Sequence, residues 1–254
     1  MAVKGSFRWV QVVATTRIAP RMQRLRLEGE ALERFDTDSN LHVRLHVPAG
    51  PGVRLASPPP GSEAFPPLRT GIAEIATRYY TIRRIDAAAG WVEIDFVLHE
   101  APGPAGDFAR VASPGDICGM SGPCGLGIKP AGHYLLAGDE AALPAIARIA
   151  EGLPASARGA IFIEVDTPED RLPLTIPPGM SCEWICRREK WASAEVDFIA
   201  QVEQAIATTA AGPADHFVWV AAEFSAYEAL RRSLKAIAKT RSICVPYWRA
   251  GEPA

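Results

Sequence analysis

The stretch His133-Tyr-Leu-Leu-Ala-Gly-Asp-Glu-Ala-Ala-Leu-Pro-Ala-Ile-Ala-Arg-Ile-Ala-Glu151 marks a change in the pattern of the chain. Its first five residues predict a strand, Gly138-Asp139-Glu140 predicts a turn, and residues 143–151 predict a helix. Further strand patterns follow at residues 160–165, 182–187 and 217–221. Because strands that alternate with helices build parallel sheets, we predict a doubly wound α/β domain over residues 130–254.

Two more amphipathic helices are expected in this domain. Apolar residues at spacings of three and four predict the first helix, at Val196, Ile199, Val202 and Ile206. A capping box, Ser225-x-x-Glu228, precedes the second, which carries Leu230, Leu234 and Ile237. Open parallel sheets bind ligands at the carboxyl ends of their strands, although the turn at Gly138 lacks the G-x-G-x-x-G fingerprint.

The chain before residue 130 has the pattern of strands. Residues 41–47 alternate strictly, which places Leu41, Val43, Leu45 and Val47 on one face. Residues 91–98 alternate in the same way, residues 78–85 are rich in aromatic and β-branched side chains, and weaker strands are expected at 7–13, 22–27 and 116–119. These patterns predict an antiparallel barrel or sandwich over residues 1–129. Seven prolines between positions 48 and 67 predict a long surface loop.

Composition narrows the class of protein. A length of 254 residues suits two modest domains, and 48% hydrophobic with 22% charged residues is typical of a globular chain. The formal net charge of −2 provides no basic field for nucleic acid. No apolar run is long enough for a signal peptide or a membrane span, so we expect a cytoplasmic protein whose five cysteines are reduced thiols.

The segment Arg78-Tyr79-Tyr80-Thr81-Ile82-Arg83 concentrates unusual side chains on one predicted strand. Alternation places Arg78, Tyr80 and Ile82 on one face and the other three residues on the opposite face. A flavin requires a flat ring to pack on, a hydroxyl near its ring nitrogens and cations near its pyrophosphate, and this strand offers all three. An exposed strand with half-buried tyrosines is the alternative interpretation.

A second candidate lies at residues 99–109, where a Gly/Pro turn after His99 leads into a short helix. Backbone N–H groups at a helix start bind phosphate well. An ordinary turn is the alternative. Two residue pairs have side chains of the metal-ligating type, Cys182-x-x-x-Cys186 and the strand pair His42 and His46. Neither has the spacing or the additional ligands of a zinc site, so we predict no metal.

A series of motifs then occurs in order along nearly the whole chain, from Pro20 to Gly251. They are Arg78-x-Tyr80-Thr81-Ile82-Arg83, His99 followed by Gly103-Pro104-Ala105, Pro114-Gly115-Asp116, Gly122-Pro123-x-Gly125, Ala137-Gly138-Asp139-Glu140-x-Ala142-Leu143-Pro144-Ala145-Ile146, Trp219-Val220-Ala221-x-Glu223 and Tyr247-Trp248-Arg249-x-Gly251. This series resembles the siderophore-interacting flavoproteins, a branch of the ferredoxin-NADP reductase superfamily. The resemblance implies an FAD-binding β-barrel followed by a nicotinamide-binding-type α/β domain.

The resemblance also implies roles for single residues. Arg78 would contact the FAD phosphates, while Tyr80 and Thr81 would lie at the reactive ring as the candidate catalytic residues. The full set of cofactor-binding candidates is Arg78, Tyr80, Thr81, Ile82, Arg83, His99, Gly103, Pro104, Ala105, Gly106, Asp139, Glu140 and Glu223. The family commonly has Ser and Trp where this chain has Gly106 and Phe108, so backbone amides would have to hold the phosphate there.

The acidic candidates have alternative roles. Carboxylates repel a pyrophosphate, so Asp139 and Glu140 are expected either to cap a helix or to bond a ring or ribose hydroxyl. Glu223 follows the last core strand predicted above. It is expected either to line the nicotinamide side of the site or to be an exposed acid before a helix.

The substrate implied by the resemblance is an anionic ferric siderophore held by basic residues. Arg44 and Arg249 are the matching candidates, and Lys129 is a third because Cys124 stands where the family tends to have a basic residue. The implied reaction is FAD-dependent reduction of the ferric chelate with electrons from NADPH, NADH or reduced ferredoxin. The alternatives are a flavin or ferredoxin-type reductase with another acceptor, and a non-catalytic siderophore-binding flavoprotein. For Arg44 a solvated strand position is the alternative.

Overall fold

The computed structural model describes residues 6–50, 53–55, 75–99, 103–188 and 197–251. The described chain divides into two compact units between Gly127 and Ile128. Most of the proline-rich loop predicted at residues 48–67 lies outside the described residues, as does Val196 of the predicted helix.

The first unit is a closed antiparallel barrel with strand order β1-β2-β5-β4-β3-β6. The barrel form of the prediction is therefore confirmed, and the sandwich is excluded because β1 pairs with both β2 and β6. Its strands are β1 Phe7–Ala19, β2 Met22–Glu28, β3 His42–Pro48, β4 Ile75–Asp86, β5 Trp91–Val97 and β6 Ile117–Cys124. One helix, α1 Pro104–Val111, lies between β5 and β6 along the chain and adds its apolar side to the barrel core.

The alternation in β3 and β5 gives the barrel its core. The predicted inward residues of β3 are buried, and Ile94 and Phe96 of β5 are fully buried beside them. The opposite face of β5 is also buried at Glu93 and Asp95, which alternation alone does not indicate. Arginines of the neighbouring strand β2 account for this, because the Arg24 guanidinium binds both oxygens of Asp95 at 2.6 and 2.8 Å.

The second unit is a parallel sheet with order β11-β10-β7-β8-β9, and helices follow β7, β9 and β10 along the chain, as the alternating pattern predicts. Its strands are β7 His133–Gly138, β8 Arg158–Val165, β9 Gly179–Cys186, β10 His216–Glu223 and β11 Ser242–Trp248. Its helices are α2 Leu143–Gly152, α3 Phe198–Ala211 and α4 Phe224–Ser233. Apolar residues of α3 and α4, including Val202 and Leu230, share a core cluster with Leu135 and Val218 of the sheet.

Two features of this unit differ from the sequence-based expectation. The capping box at Ser225 is wrong, because α4 already begins at Phe224 and Glu223 is the N-cap. The Glu223 carboxylate accepts a hydrogen bond from the backbone N–H of Ser225 at 2.6 Å. Strand β11 is not predicted from the sequence, since Pro246 interrupts its short apolar run. Proline is tolerated there because β11 is an edge strand.

Candidate functional site

Strand β4 carries the flavin candidates of the first unit. Tyr80 packs against the barrel core, with its ring centroid 4.4 Å from that of Phe96 and the two rings tilted by 40°. Ile82 is fully buried in the same core, so its side chain is structural. Burial raises the pKa of the Tyr80 hydroxyl above its ordinary value, against an opposing effect of Arg78. Tyr80 is therefore a neutral phenol across the physiological range and able to donate a hydrogen bond.

The expected strict alternation of β4 ends at a bulge. The pairing of β4 with β5 shifts register between Ile82 and Arg84, so Arg83 is the extra residue. Thr81, Ile82 and Arg83 are consequently buried in succession. The prediction that Arg83 continues the face of Tyr79 and Thr81 fails for this reason.

Helix α1 supplies the second part of the site. It contacts β4 as well as β3 and β5, and it begins at Pro104 after Gly103, with no side chain capping its first turn. Ala105 and Gly106 are buried in that turn, and the first backbone bond of the helix runs from Asp107 N–H to the Gly103 carbonyl at 2.9 Å. His99, at the end of the described segment before this helix, contacts it because the His99 carbonyl accepts a hydrogen bond from Arg110.

These residues fit the three parts of FAD. Tyr80 offers a ring, Thr81 is a buried residue with a hydroxyl, and Arg78 is a half-buried residue whose Nη1 donates to the Thr77 carbonyl at 3.0 Å. The start of α1 is suited to a pyrophosphate, since the first N–H groups of a helix have no partner within it and lie at the positive end of its dipole. A glycine and an alanine at this turn allow close approach to the backbone.

In the second unit, Asp139 follows β7 directly and is almost completely buried, with 2% of its surface exposed. Its Oδ1 accepts from Ala141 N–H at 2.9 Å, while its Oδ2 accepts from Glu223 N–H at 2.8 Å and from Trp248 Nε1–H at 2.7 Å. Burial, together with the neighbouring Glu140, raises the pKa of Asp139 to about 7 despite these three donors.

Gly138 makes this arrangement possible. A Cβ at that position would collide with Ala142 and with the carbonyl oxygen of Ala221, so glycine allows β7 to turn close beside β10. Asp139 is thereby delivered to the carboxyl ends of two adjacent parallel strands.

Glu140 is also buried, at 4% exposure, and forms an ion pair with Arg187. Arg187 binds Glu164 at 3.2 Å as well, so that it joins the ends of β7, β8 and β9. Although burial opposes the change, these two carboxylates raise the pKa of Arg187 above its ordinary value. Arg187 is absent from the predicted site because nothing in its local sequence marks it.

Glu223 caps α4 and also binds the chain beyond β11. Its Oε1 accepts from Ala250 N–H at 3.1 Å. Burial acts to raise the pKa of Glu223, but the hydrogen bonds from Ser225 and Ala250 lower it overall. Glu223 thus precedes a helix, as the second alternative expects, but its side chain is half-buried and both its carboxylate oxygens accept hydrogen bonds.

The substrate candidates are distributed over both units. Arg44 on β3 stands opposite Tyr79 on β4, and its Nε donates to the Tyr79 hydroxyl at 3.1 Å, which raises the pKa of Arg44. Burial raises the pKa of the nearby Cys124 thiol, with Arg44 opposing. Lys129 and Arg249 are exposed in the second unit, and the Arg249 guanidinium lies 3.7 Å from the centroid of the Phe224 ring.

Sequence reasoning missed two members of these clusters. Tyr79 is 64% exposed and pairs with Arg44, although the sequence indicated it only as one of two adjacent tyrosines. Trp248 belongs to a terminal motif but gave no sign that it binds Asp139. Both contacts, Arg44 with Tyr79 and Trp248 with Asp139, depend on which strands are neighbours and in what register, and the local sequence does not indicate either.

Among the residues that the structure describes, no group of three or more His, Cys, Asp or Glu side chains is arranged to hold a metal ion. Among the same residues, no helix has the length and apolarity required to cross a membrane.

Comparison with known proteins covers both units. Residues 11–126 match the siderophore-interacting FAD-binding domain, and residues 131–251 match the siderophore-interacting protein family. The ferric vibriobactin reductase ViuB of Vibrio cholerae is 31% identical over 242 residues, which cover 92% of this chain and 86% of ViuB. The siderophore-interacting protein SipS of Aeromonas hydrophila superposes with a TM-score of 0.76 at 29% identity, covering 98% of this chain and 94% of SipS.

A more distant structure extends the fold relationship. The ferredoxin reductase of carbazole 1,9a-dioxygenase has a TM-score of 0.66 at 15% identity and is covered over 70% of its length, while 98% of this chain is covered. The barrel and the parallel sheet described above are thus shared with ferredoxin reductases. With both units matched by family models and a 31% identical relative along most of its length, the chain belongs to the siderophore-interacting family of FAD-binding proteins.

Proposed function

We propose that this protein is a cytoplasmic FAD-dependent reductase of ferric siderophores, which releases iron by reducing Fe(III) to Fe(II). The substrate class is supported by the similarity to ViuB, whose name describes a ferric vibriobactin reductase. A reducing compartment is supported by the five cysteines, all of which are free thiols.

The redox proposal rests on strand β4 and helix α1, which contact each other in the barrel unit. Tyr80 and Thr81 on β4 provide a ring and a hydroxyl, and the uncapped start of α1 provides backbone N–H groups. When bound, FAD would supply the electron transfer itself, accepting electrons from NADPH, NADH or reduced ferredoxin and passing them singly to iron. The chain's residues would bind and orient it: Arg78 would hold a phosphate, Tyr80 would pack on the ring and Thr81 would bond its edge.

The substrate side of the proposal concerns charge. Arg44, Lys129 and Arg249 are proposed to bind the anionic oxygens of the ferric chelate. Fe(II) binds hard oxygen ligands more weakly than Fe(III), so reduction would release the metal. Cys124 contributes no positive charge at its position, which favours a chelate of lower negative charge than a basic residue there would favour.

The test begins with purified protein in the absence of oxygen. We expect flavin absorbance that bleaches on addition of NADPH, NADH or reduced ferredoxin, and each donor tested separately assigns the electron source. Ferric siderophores are then added with a ferrous-specific dye, and colour development at a rate matching flavin reoxidation is the expected result.

The alternatives give different outcomes in the same experiment. Protein that bleaches and then reduces free flavin or a carrier protein, but no ferric chelate, would be a flavin or ferredoxin-type reductase. Protein that binds ferric chelate and FAD without bleaching with any donor would be a siderophore-binding flavoprotein. Colourless protein that takes up no FAD would contradict all three.

A further inference from the structure

Two carboxylates in the second unit hold the tail segment, residues 248–250. Asp139 accepts from the Trp248 indole at 2.7 Å, and Glu223 accepts from the Ala250 backbone at 3.1 Å. The two acids are themselves joined, because Asp139 Oδ2 also accepts from the Glu223 N–H at 2.8 Å. We call Asp139 and Glu223 together the acid clasp.

Arg249 lies between the two residues that the acid clasp binds. Its guanidinium lies 3.7 Å from the centroid of the Phe224 ring, and Phe224 directly follows Glu223 at the start of α4. Both chain neighbours of Arg249 and its own charged group are therefore fixed by elements that meet at the ends of β7 and β10. A cation over an aromatic face at this distance adds a favourable electrostatic contact.

Helix capping does not account for the clasp. The bond from Ala141 N–H to Asp139 Oδ1 caps the turn before α2, and it occupies one oxygen only. The second oxygen receives donors from β10 and from the tail segment, neither of which belongs to α2. Likewise, Glu223 caps α4 with Oε2 and binds the tail segment with Oε1.

The pairing of the sheet ends within this segment, at Trp248. The pairing of β10 with β11 shifts register after Ala222, and its last pair joins Glu223 to Trp248. Arg249 and Ala250 follow the end of β11. An arginine that is free to sample its rotamers loses about 2 kcal/mol of side-chain entropy when a ligand fixes it, so prior fixation improves binding.

We propose that Asp139 and Glu223 are positioning residues that preset Arg249 for an anionic group of the ferric chelate. This inference rests on the proposed function, in which Arg249 contacts the substrate. It also gives both acids a role other than ribose or nicotinamide binding, since their four carboxylate oxygens already accept hydrogen bonds from the chain.

The test measures binding without turnover, by titration calorimetry with a redox-inert gallium(III) tris-catecholate, which is anionic. Trp248→Phe retains the ring and removes the Nε1–H donor to Asp139. We expect its dissociation constant to rise by about 3- to 10-fold, the equivalent of ordering one flexible side chain. Trp184→Phe, at a half-buried tryptophan of edge strand β9, is the matched control and should bind like the unaltered protein.

The pathway of the effect is tested with Arg249→Ala. If Asp139 acts through Arg249, Trp248→Phe adds nothing to the weaker binding of Arg249→Ala. Equal effects of Trp248→Phe with and without Arg249 would overturn the proposal, as would unchanged binding by either single variant. FAD content and unfolding midpoint, measured in parallel, identify a variant that is misfolded, and Glu223→Gln then provides an independent test of the clasp with the same expected rise.

Failure of the proposed function has a separate signature. If the unaltered protein binds the gallium chelate but does not reduce its ferric counterpart, the reductase function is wrong and the positioning of Arg249 still stands or falls on the binding data.

Discussion

At the scale of a single side chain, the proposed contact of Arg78 with the FAD phosphates can be tested by one substitution. It shares β4 with Tyr80, and its side chain is half-buried. A charge-assisted hydrogen bond to phosphate is worth about 1.5–3 kcal/mol. We therefore expect Arg78→Ala to weaken FAD binding by roughly 10- to 100-fold, measured by flavin fluorescence on titration of the apoprotein.

The matched control for this change is Arg84→Ala on the same strand. Arg84 lies beyond the bulge, and its side chain is 53% exposed near Glu93. FAD affinity that falls equally in both variants would indicate a general effect of charge, and the phosphate role of Arg78 would then be wrong.

Asp139 has a second consequence, for the pH dependence of stability. Burial raises its pKa to about 7, whereas the unfolded chain ionises it near pH 4. Between those values the folded state keeps a proton that the unfolded state has lost, so this residue's contribution to stability is full below pH 4 and is lost as the pH rises through about 7. Asp139→Asn should remove that loss, as measured by urea unfolding from pH 4 to 8.

Asp215→Asn serves as the control, because that aspartate is 65% exposed. Curves of unfolding free energy against pH for Asp139→Asn and the unaltered protein that stay parallel across this range would contradict the assignment.

The raised pKa of Asp139 could not be predicted from its neighbours in the sequence. The sequence placed Asp139 after a strand, but its burial and its bond to Trp248 depend on residues more than a hundred positions away.

At the scale of elements, Arg187 connects the ends of three parallel strands. It pairs with the buried Glu140 after β7 and with Glu164 of β8. Removing one partner of a buried pair leaves an uncompensated charge, so Arg187→Ala should lower the unfolding free energy by about 3 kcal/mol in urea denaturation. The neighbouring Arg188 has a side chain that is 65% exposed, and Arg188→Ala should cost about 1 kcal/mol or less.

The double variant Arg187→Met with Glu140→Gln completes this test. It removes both charges, so it should be more stable than Arg187→Ala alone. A double variant at least as unstable as the single one would show that the ion pair is not the source of the effect.

Elements differ in how much of them the sequence predicts. Strand β3 was predictable because one of its faces is buried and the other is polar, so that period-two alternation is complete. The burial of Glu93 and Asp95 on β5 was not, since it depends on arginines of another strand. Strand β11 was missed because its stability comes from parallel pairing with β10, which compensates for Pro246 at an edge.

The candidate site also has a part that the sequence predicts and a part that it does not. The flavin strand could be identified from its own residues, because ring, hydroxyl and guanidinium are adjacent in sequence. The cluster of Asp139, Glu223 and Trp248 could not, because three separate segments form it. Fold class therefore follows from local periodicity, whereas the contacts of buried polar groups follow from topology.

At the scale of the whole molecule, the net charge of the protein and the charge near the proposed substrate residues act differently on an anionic chelate. The formal net charge of −2 does not draw anionic chelates to the protein, so the proposed function requires local attraction, which we assign to Arg44, Lys129 and Arg249. Salt should therefore raise the KM for an anionic ferric tris-catecholate several-fold between about 0.01 M and 1 M, as the screening length falls from about 30 Å to about 3 Å.

A neutral ferric tris-hydroxamate is the control for this measurement, and its KM should change little with salt. The triple variant with alanine at the three basic positions should lose most of the salt dependence for the anionic chelate. An equal salt effect on both chelates would place the attraction elsewhere.

Closure of the barrel in the first unit also affects the order in which its strands pair during folding. Strand β1 pairs with β6, joining Phe7 to Ser121, whereas β7 and β8 pair across a single helix. Bringing distant segments together costs chain entropy before any contact rewards it, so sequence-remote pairings form slowly. We expect the seam between β1 and β6 to be the last part of the barrel to gain amide-exchange protection during refolding, with the sheet of the second unit protected earlier.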